Sequence, residues 1–233
     1  MLQFRLQDIV DLRDNTTRGS ELLAGCPACP AWSPNRWREW YLAMPATLSG
    51  IAVGRPVWVN IDSTQLCDPE ITASIERVFA ASPSCVMEWT ERDCSSAQYI
   101  RALDVLRSWS REGIEIAIDD VGTGRDGIER VAALRPHYAK ISAWMTTHAR
   151  ENSEPLRHMT NLLRSLGAAV VVEGIENDQD WENALDCEAD FGQGYGIGTM
   201  VCSCGSYGSA FSLLEGLVPV EAECRSTVIE RAA

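Results

Sequence analysis

The sequence predicts a single α/β domain folded as a TIM-like (β/α)8 barrel. Short apolar runs alternate along the 233 residues with longer segments of helical periodicity. Such alternation indicates a parallel sheet surrounded by helices. Each apolar run also ends in a polar or charged residue, as in barrels whose strands carry functional groups to one mouth. Because the sequence contains no internal repeat or linker, we treat residues 1–233 as one domain.

The predicted strands are short and rich in β-branched residues, a composition typical of strands buried on both faces. They are Val57–Ile61, Cys85–Trp89, Ile114–Ile118, Tyr138–Ile141 and Ala168–Val172. The predicted helices have apolar residues three and four positions apart. They are Ile71–Ala81, Ala97–Glu112, Gly127–Leu134, Pro155–Leu166, Asp178–Cys187 and Tyr207–Leu217, the last followed by a tail.

The composition excludes several classes of function. Lys and Arg number 20 against 33 Asp and Glu, so the net charge of −13 predicts no binding of nucleic-acid polymers or anionic membranes. The first 14 residues carry regularly spaced charges, and no stretch approaches the roughly 18 apolar residues of a membrane span. We therefore expect neither a signal peptide nor a transmembrane helix, and a cytoplasmic location.

Nine cysteines are present, an odd number that argues against a disulfide framework. Cys26 and Cys29 have the spacing of zinc ligands, and Cys202 with Cys204 would complete a set of four. Because no second CxxC and no HxxxH pattern accompanies the first pair, ordinary reduced thiols are the preferred interpretation.

Polar residues at the strand ends predict a metal site. They are Asn60, Glu88, Asp119, Asp120, Lys140 and Glu173. Carboxylates meeting at one barrel mouth repel one another by about 4 kcal/mol per pair at 4 Å and an effective dielectric near 20, so cations or protons are needed there. Oxygen ligands without His or Cys suit Mg²⁺ or Mn²⁺. The adjacent Asp119 and Asp120 fit a two-ion arrangement for in-line attack on a phosphodiester.

The segment from Asp119 to Gly124 contains two glycines, at positions 122 and 124, directly after the acidic pair. Such glycines allow a tight, mobile loop over a site. An ordinary turn is the alternative interpretation of this hexapeptide.

A series of motifs in this order resembles the EAL family of cyclic di-GMP phosphodiesterases. The motifs are Gln7-Asp-Ile-Val, Glu21-Leu-Leu, Val-Asn60-Ile-Asp, Glu88-Trp-Thr-Glu91, Asp119-Asp-Val-Gly-Thr-Gly124, Lys140-Ile-Ser, Glu173-Gly-Ile-Glu176 and Gln193-Gly-Tyr. The resemblance covers about residues 4–198 and leaves a C-terminal helix and tail at 205–233. It implies a metal-dependent enzyme that opens one phosphodiester bond of cyclic di-GMP to give linear pGpG.

The resemblance also implies roles for single residues. The implied metal ligands are Glu21, Asn60, Glu88, Asp119, Asp120 and Glu173, the first four around one ion and Asp119 shared with the second. Lys140 would help to deprotonate the attacking water, Gln193 would orient water or substrate, and Glu91 would anchor the loop. Other implied substrate or loop residues are Gln7, Leu23, Gly122, Thr123 and Gly124. A homodimer through the helix after the Asp-Asp motif is also implied.

The sequence departs from the family pattern in three places. Gly25 stands where the family has an arginine on a substrate phosphate, and Ser142 stands where it has an aspartate beside the lysine. The separation of 39 positions from Glu21 to Asn60 indicates a shortened first β/α segment. These departures favour an alternative function, a degenerate domain that binds cyclic di-GMP or a protein partner without efficient turnover.

Overall fold

The computed structural model shows a closed barrel of eight strands wrapped by helices, which confirms the predicted TIM-like fold. The structure describes residues 4–24, 33–49, 54–81, 84–90, 92–124, 127–197 and 200–202. The strands are β1 Phe4–Asp11, β2 Thr17–Ala24, β3 Val57–Ile61, β4 Cys85–Trp89, β5 Glu115–Val121, β6 Tyr138–Ile141, β7 Ala169–Val172, β8 Phe191–Gly192 and β9 Met200–Cys202. The helices are α1 Pro34–Ser49, α2 Pro69–Ala81, α3 Ser96–Arg111, α4 Gly127–Leu134, α5 Ala143–Ala149, α6 Glu154–Ser165 and α7 Asp178–Asp186, with a 3₁₀ turn at Gln65–Cys67.

Strand β1 closes the barrel and is its antiparallel member. Strands β2 to β8 are parallel neighbours in chain order, and β1 pairs with β2 on one side and with β8 and β9 on the other. The connection from Asp11 to Thr17 is too short for a crossover, which requires a dozen or more residues between parallel strands. The first two strands therefore form a hairpin.

The five predicted strands and the five predicted helices that fall on described residues are all present. Strands β1, β2, β8 and β9 and helices α1 and α5 were not predicted. The predicted end of one strand at Ile118 was wrong, because β5 continues to Val121 through an irregularity in its pairing with β6. The predicted helix Tyr207–Leu217 and the tail at 205–233 lie outside the described residues.

The bottom of the barrel interior is a layer of apolar side chains, one from nearly every strand. The layer consists of Ile9, Trp58, Val86, Ala117, Tyr138, Val171 and Phe191. Strand β2 contributes Gly19 at this level, where a Cβ would lie 2.7 Å from Trp58 Nε1. Because side chains alternate along a strand, the residues two positions nearer the mouth also point inward, one level higher. The apolar layer thus forms the floor beneath a second layer of inward-pointing side chains.

The helices cover the outside of the barrel and bury their apolar faces against it. Helix α3 begins with a capping box in which Ser95 and Gln98 bond to each other's backbone, and it buries Leu106 and Trp109 completely or nearly so. Asn177 caps α7 in the same manner by accepting from the Asp180 amide. Within the described ranges, no helix is long and apolar enough to cross a membrane.

We expect Gly194→Ala to lower the melting temperature and to displace Gln193, because a Cβ at position 194 would overlap the backbone of Ile175. Overpacking of this kind costs about 1–3 kcal/mol. Thermal unfolding checks the prediction. Gly113→Ala is the control: its φ of 91° strains an added side chain by about 1 kcal/mol or more, but no atom lies within 4 Å, so its loss of stability should be the smaller of the two. Equal losses of stability in the two variants would contradict the steric explanation.

Candidate active site

A layer of polar side chains lies directly above the apolar floor, and each of the eight barrel strands or its C-terminal end contributes one. Its members are Gln7, Glu21, Asn60, Glu88, Asp119, Lys140, Glu173 and Gln193. On the seven parallel strands each residue lies two positions beyond the floor residue, and on the antiparallel β1 it lies two positions before it. The structure therefore brings together eight residues that the sequence singled out.

The Lys140 ammonium lies at the centre of this layer. Its Nζ is 2.7 Å from a Glu173 oxygen, 2.9 Å from Glu88, 3.2 Å from Glu21 and 3.3 Å from Asp119. Burial would lower the pKa of Lys140, but the four carboxylates outweigh burial and raise this pKa well above its usual value. In this arrangement Lys140 is a buried cation that holds the four acidic strand ends together.

Glu21 has the most complete set of partners in the layer. The Gln193 side-chain amide donates to its Oε2 at 2.7 Å, and the Asn60 side-chain amide donates to its Oε1. Burial opposes ionisation, yet Lys140 and these two amides together lower the pKa of Glu21 below its usual value. Glu21 is therefore the carboxylate that this environment keeps ionised.

The other three carboxyl groups are pushed toward their protonated forms. Burial raises the pKa of Glu88 well above its usual value, with the Glu21 charge adding to the effect. Burial also raises the pKa of Asp119, and it raises that of Glu173 to about 8 although Lys140 acts against it. One ammonium does not neutralise four carboxylates, so the site favours protons or additional cations.

Two observations show that the site is suited to a divalent cation. Asn60 Oδ1 and Glu88 Oε1 are buried and have no hydrogen-bond partner in the described part of the chain. Ligand oxygens of Asp119, Asp120 and Glu173 lie within 4.8 Å of one another. Oxygen donors from carboxylates and an amide, with no nitrogen or sulfur among them, match the preferences of Mg²⁺ and Mn²⁺.

The segment after Asp119 forms a turn at the edge of the site. Asp120 has a φ of 57°, and Gly122 has a φ of 107° that a side chain would oppose. The Thr123 hydroxyl donates to the Asp120 carbonyl oxygen at 3.2 Å, and Gly124 completes the turn.

Leu23 lies on β2 one level above the polar layer. Glu91, Gly25, Cys26, Cys29 and Cys204 lie outside the described residues, as does the Cys202 side chain.

Arg130 supports the site and was missed by the sequence analysis. Its guanidinium donates to the carbonyl oxygens of Trp89 at 2.7 Å and Asp119 at 3.1 Å, and it lies 5.5 Å from the Trp89 ring centre. These bonds connect the mouth ends of β4 and β5, and the Arg130 side chain is buried, with 1% exposed. Arg130 lies on the buried face of α4 with Gly127 and Val131, and a charged residue on that face was the feature of the sequence that could have indicated its role.

The comparisons with known proteins agree with this geometry. The family model described as "EAL domain" matches residues 42–199. A probable cyclic di-GMP phosphodiesterase, PdeN of Escherichia coli K12, is 28% identical over 63% of this chain and 29% of its own length. Cyclic di-GMP phosphodiesterase PdeB of Shewanella oneidensis is 25% identical over 55% of this chain and 15% of its own length. The chain thus spans less than a third of these relatives.

Solved structures show the same fold at low sequence identity. The EAL domain of Mycobacterium smegmatis DcpA aligns with a TM-score of 0.69 at 19% identity, over 86% of this chain and 91% of that one. The EAL domain of FimX from Pseudomonas aeruginosa, bound to c-di-GMP, aligns with a TM-score of 0.68 at 18% identity, over 85% and 90% of the two chains. With the family model covering more than half of its residues, the chain belongs to the EAL domain family.

Proposed function

We propose that this chain is a metal-dependent phosphodiesterase that hydrolyses cyclic di-GMP to linear pGpG. The observation that carries the proposal is the convergence of Glu21, Glu88, Asp119 and Glu173 on Lys140. The named activity of EAL relatives such as PdeB supports the choice of substrate. We further propose that residues 1–233 form one EAL-type domain with a C-terminal tail, and that the protein acts in the cytoplasm. The resemblance to the EAL family further suggests a homodimer through α4, the helix that follows the Asp-Asp motif.

Metal binding is the first part of the proposed mechanism. Glu21, Asn60, Glu88 and Asp119 would hold one ion, and Asp119, Asp120 and Glu173 a second. Mg²⁺ or Mn²⁺, when bound, supplies Lewis-acid stabilisation of the phosphate charge and lowers the pKa of water. The unpartnered oxygens of Asn60 and Glu88 support this assignment, because buried acceptors without donors are costly unless a ligand satisfies them.

The protein's own side chains accept the proton of the attacking water and position the carboxylates of the site. The four carboxylates raise the pKa of Lys140 and burial opposes them, so cations that offset the carboxylate charges would shift this pKa downward. Lys140 can then accept a proton from the attacking water. Gln193 and Asn60 hold Glu21 in one orientation, and Arg130 fixes the backbone that carries Asp119.

A degenerate domain that binds cyclic di-GMP or a protein partner without efficient turnover is the second candidate. Ser142 supports it: this residue is 2% exposed, stands at the N-cap of α5 and makes no side-chain capping bond. Its hydroxyl oxygen has no hydrogen-bond partner in the described part of the chain, so the position supplies neither charge nor a defined contact. The two candidates differ in turnover, which the following experiments measure.

We expect purified protein to hydrolyse cyclic di-GMP with Mg²⁺ or Mn²⁺ and to stop when the metal is chelated. Glu21→Ala and Asp119→Ala should each lower turnover at least about a hundredfold, equivalent to about 2.7 kcal/mol, because each removes a proposed ligand. Product chromatography gives the rates. Glu115→Ala is the matched control, since Glu115 lies on the same strand as Asp119 at the opposite end and bonds to Tyr138. Wild-type turnover in both site variants would rule out the proposed site.

We expect the unfolding free energy of the chelated protein to fall as the pH rises from 4.5 to about 8. Glu173 has a raised pKa in the folded state, so the folded protein binds more protons than the unfolded chain across this interval and loses stability as they leave. Urea unfolding at several pH values measures the slope. Glu173→Gln should flatten it and Glu115→Gln should not, while Mn²⁺ should restore stability at pH 8. A slope that Glu173→Gln leaves unchanged would contradict the assignment of this proton.

We expect Ser142→Asp to raise turnover and to lower the Mn²⁺ concentration needed for half-maximal rate, because it adds a carboxylate beside Lys140. Titrating Mn²⁺ into the hydrolysis assay measures both effects. Ser142→Asn separates charge from shape, and Ser153→Asp makes the same change at the N-cap of α6. If the wild type binds cyclic di-GMP without hydrolysing it and Ser142→Asp changes nothing, the degenerate-domain function replaces the enzyme.

A further inference from the structure

Helix α5 packs against both segments that carry the proposed ligands of the second ion. One segment is the turn that contains Gly122, and the other begins at Glu173. A Cβ added at Gly122 would overlap the sulfur of Met145 on α5. A Cβ added at Gly174 would lie 2.5 Å from the Cβ of Ala143, the first residue of this helix. The first turns of α5 therefore leave both segments little room to move.

Thr146 joins α5 to the second of these segments by a hydrogen bond. Its hydroxyl donates to the Glu173 carbonyl oxygen at 2.6 Å, and Thr146 itself is fully buried. On the other side of the same residue, the Glu173 amide donates to the Ile141 carbonyl oxygen of β6 at 3.0 Å. The backbone of Glu173 is thus held at both of its peptide groups, on one side by β6 and on the other by α5.

The same part of α5 is also bonded to the end of β5. The Ser142 amide donates to the Val121 carbonyl oxygen at 3.1 Å, and the Thr146 amide donates to the Ser142 carbonyl oxygen at 3.4 Å. Val121 directly follows Asp120. Consecutive hydrogen bonds therefore connect the backbone beside Asp120 with the backbone of Glu173. These are the two ligands that the proposed second ion does not share with the first.

The proposed ligands of the first ion are placed differently. Asn60 and Glu88 lie within β3 and β4 and are direct partners in the parallel pairing of these strands. Regular pairing on both sides fixes the backbone of a strand residue. Glu173 lies one residue beyond the end of β7, so its placement depends more on bonds from neighbouring elements. A change at Thr146 should therefore affect the two ions unequally.

We propose that Thr146 is a positioning residue for the second ion, because its hydroxyl fixes the Glu173 backbone and thereby the direction of the Glu173 carboxylate. The inference rests on the proposed function. Thr146 acts through Glu173, since its hydroxyl is bonded to the carbonyl oxygen of that residue and not to its carboxylate. The loss of one buried hydrogen bond of this kind corresponds to a change in affinity of about fivefold to tenfold.

Titration of the full chain with Mn²⁺, followed by the electron paramagnetic resonance signal of the free ion, tests the inference without turnover. The wild type should bind two ions per chain. Thr146→Val keeps the shape of the side chain but not the hydroxyl. It should raise the dissociation constant of one ion about fivefold to tenfold and leave that of the other within about twofold. Thr146→Ser should bind both ions like the wild type, whereas Thr146→Ala, which lacks the hydroxyl, should resemble Thr146→Val.

Thr160→Val is the matched control. Thr160 is also fully buried, and its hydroxyl donates to the Leu156 carbonyl oxygen at 2.9 Å within α6. The control therefore removes an equivalent hydroxyl outside the site, and its Mn²⁺ affinities should equal those of the wild type. Melting curves show that each variant is folded before its affinities are compared.

An equal loss of Mn²⁺ affinity in Thr160→Val would overturn the inference, as would equal affinities in Thr146→Ser and Thr146→Ala. In both cases the wild type still binds two ions, so the proposed function stands. A wild type that binds fewer than two ions removes the proposed metal arrangement itself.

Discussion

The burial of four carboxylates around the Lys140 ammonium is the constraint on which the rest of this structure depends. Carboxylates taken out of water cost several kcal/mol each unless they are paired, and one ammonium offsets only part of that cost. The raised pKa values of Glu88, Asp119 and Glu173 express the remainder. The closed barrel and its apolar floor keep these groups together against their repulsion. A site held in this way favours protons or further cations.

The irregularity in β5 shows how the fold brings two adjacent aspartates to one cluster. Neighbouring residues in a regular strand point to opposite faces, so Asp119 and Asp120 would be separated. The register shift between Ile118 and Val121 and the positive φ of Asp120 remove that restriction. Arg130 bonds to the Asp119 carbonyl oxygen at the irregularity. A structural support outside the layer thus maintains the acidic geometry within it.

The sequence by itself determined the class of fold and most of the polar layer. Asn60, Glu88, Lys140 and Glu173 follow apolar runs that are readable as buried strands, because burial on both faces leaves a continuous apolar pattern. Strands β1 and β2 carry alternating polar residues and lack that pattern, so only the resemblance pointed to Glu21 and Gln7.

Tertiary structure decided what depends on distant segments meeting. Gln193 donates to Glu21 across 172 positions of sequence, and Lys140 pairs with Glu21 across 119. The pairing shift in β5 and the contacts of Arg130 also depend on segments that are distant in the sequence. Local pattern specifies each strand and its inward face, but which side chains become neighbours follows from barrel closure, which no single segment encodes.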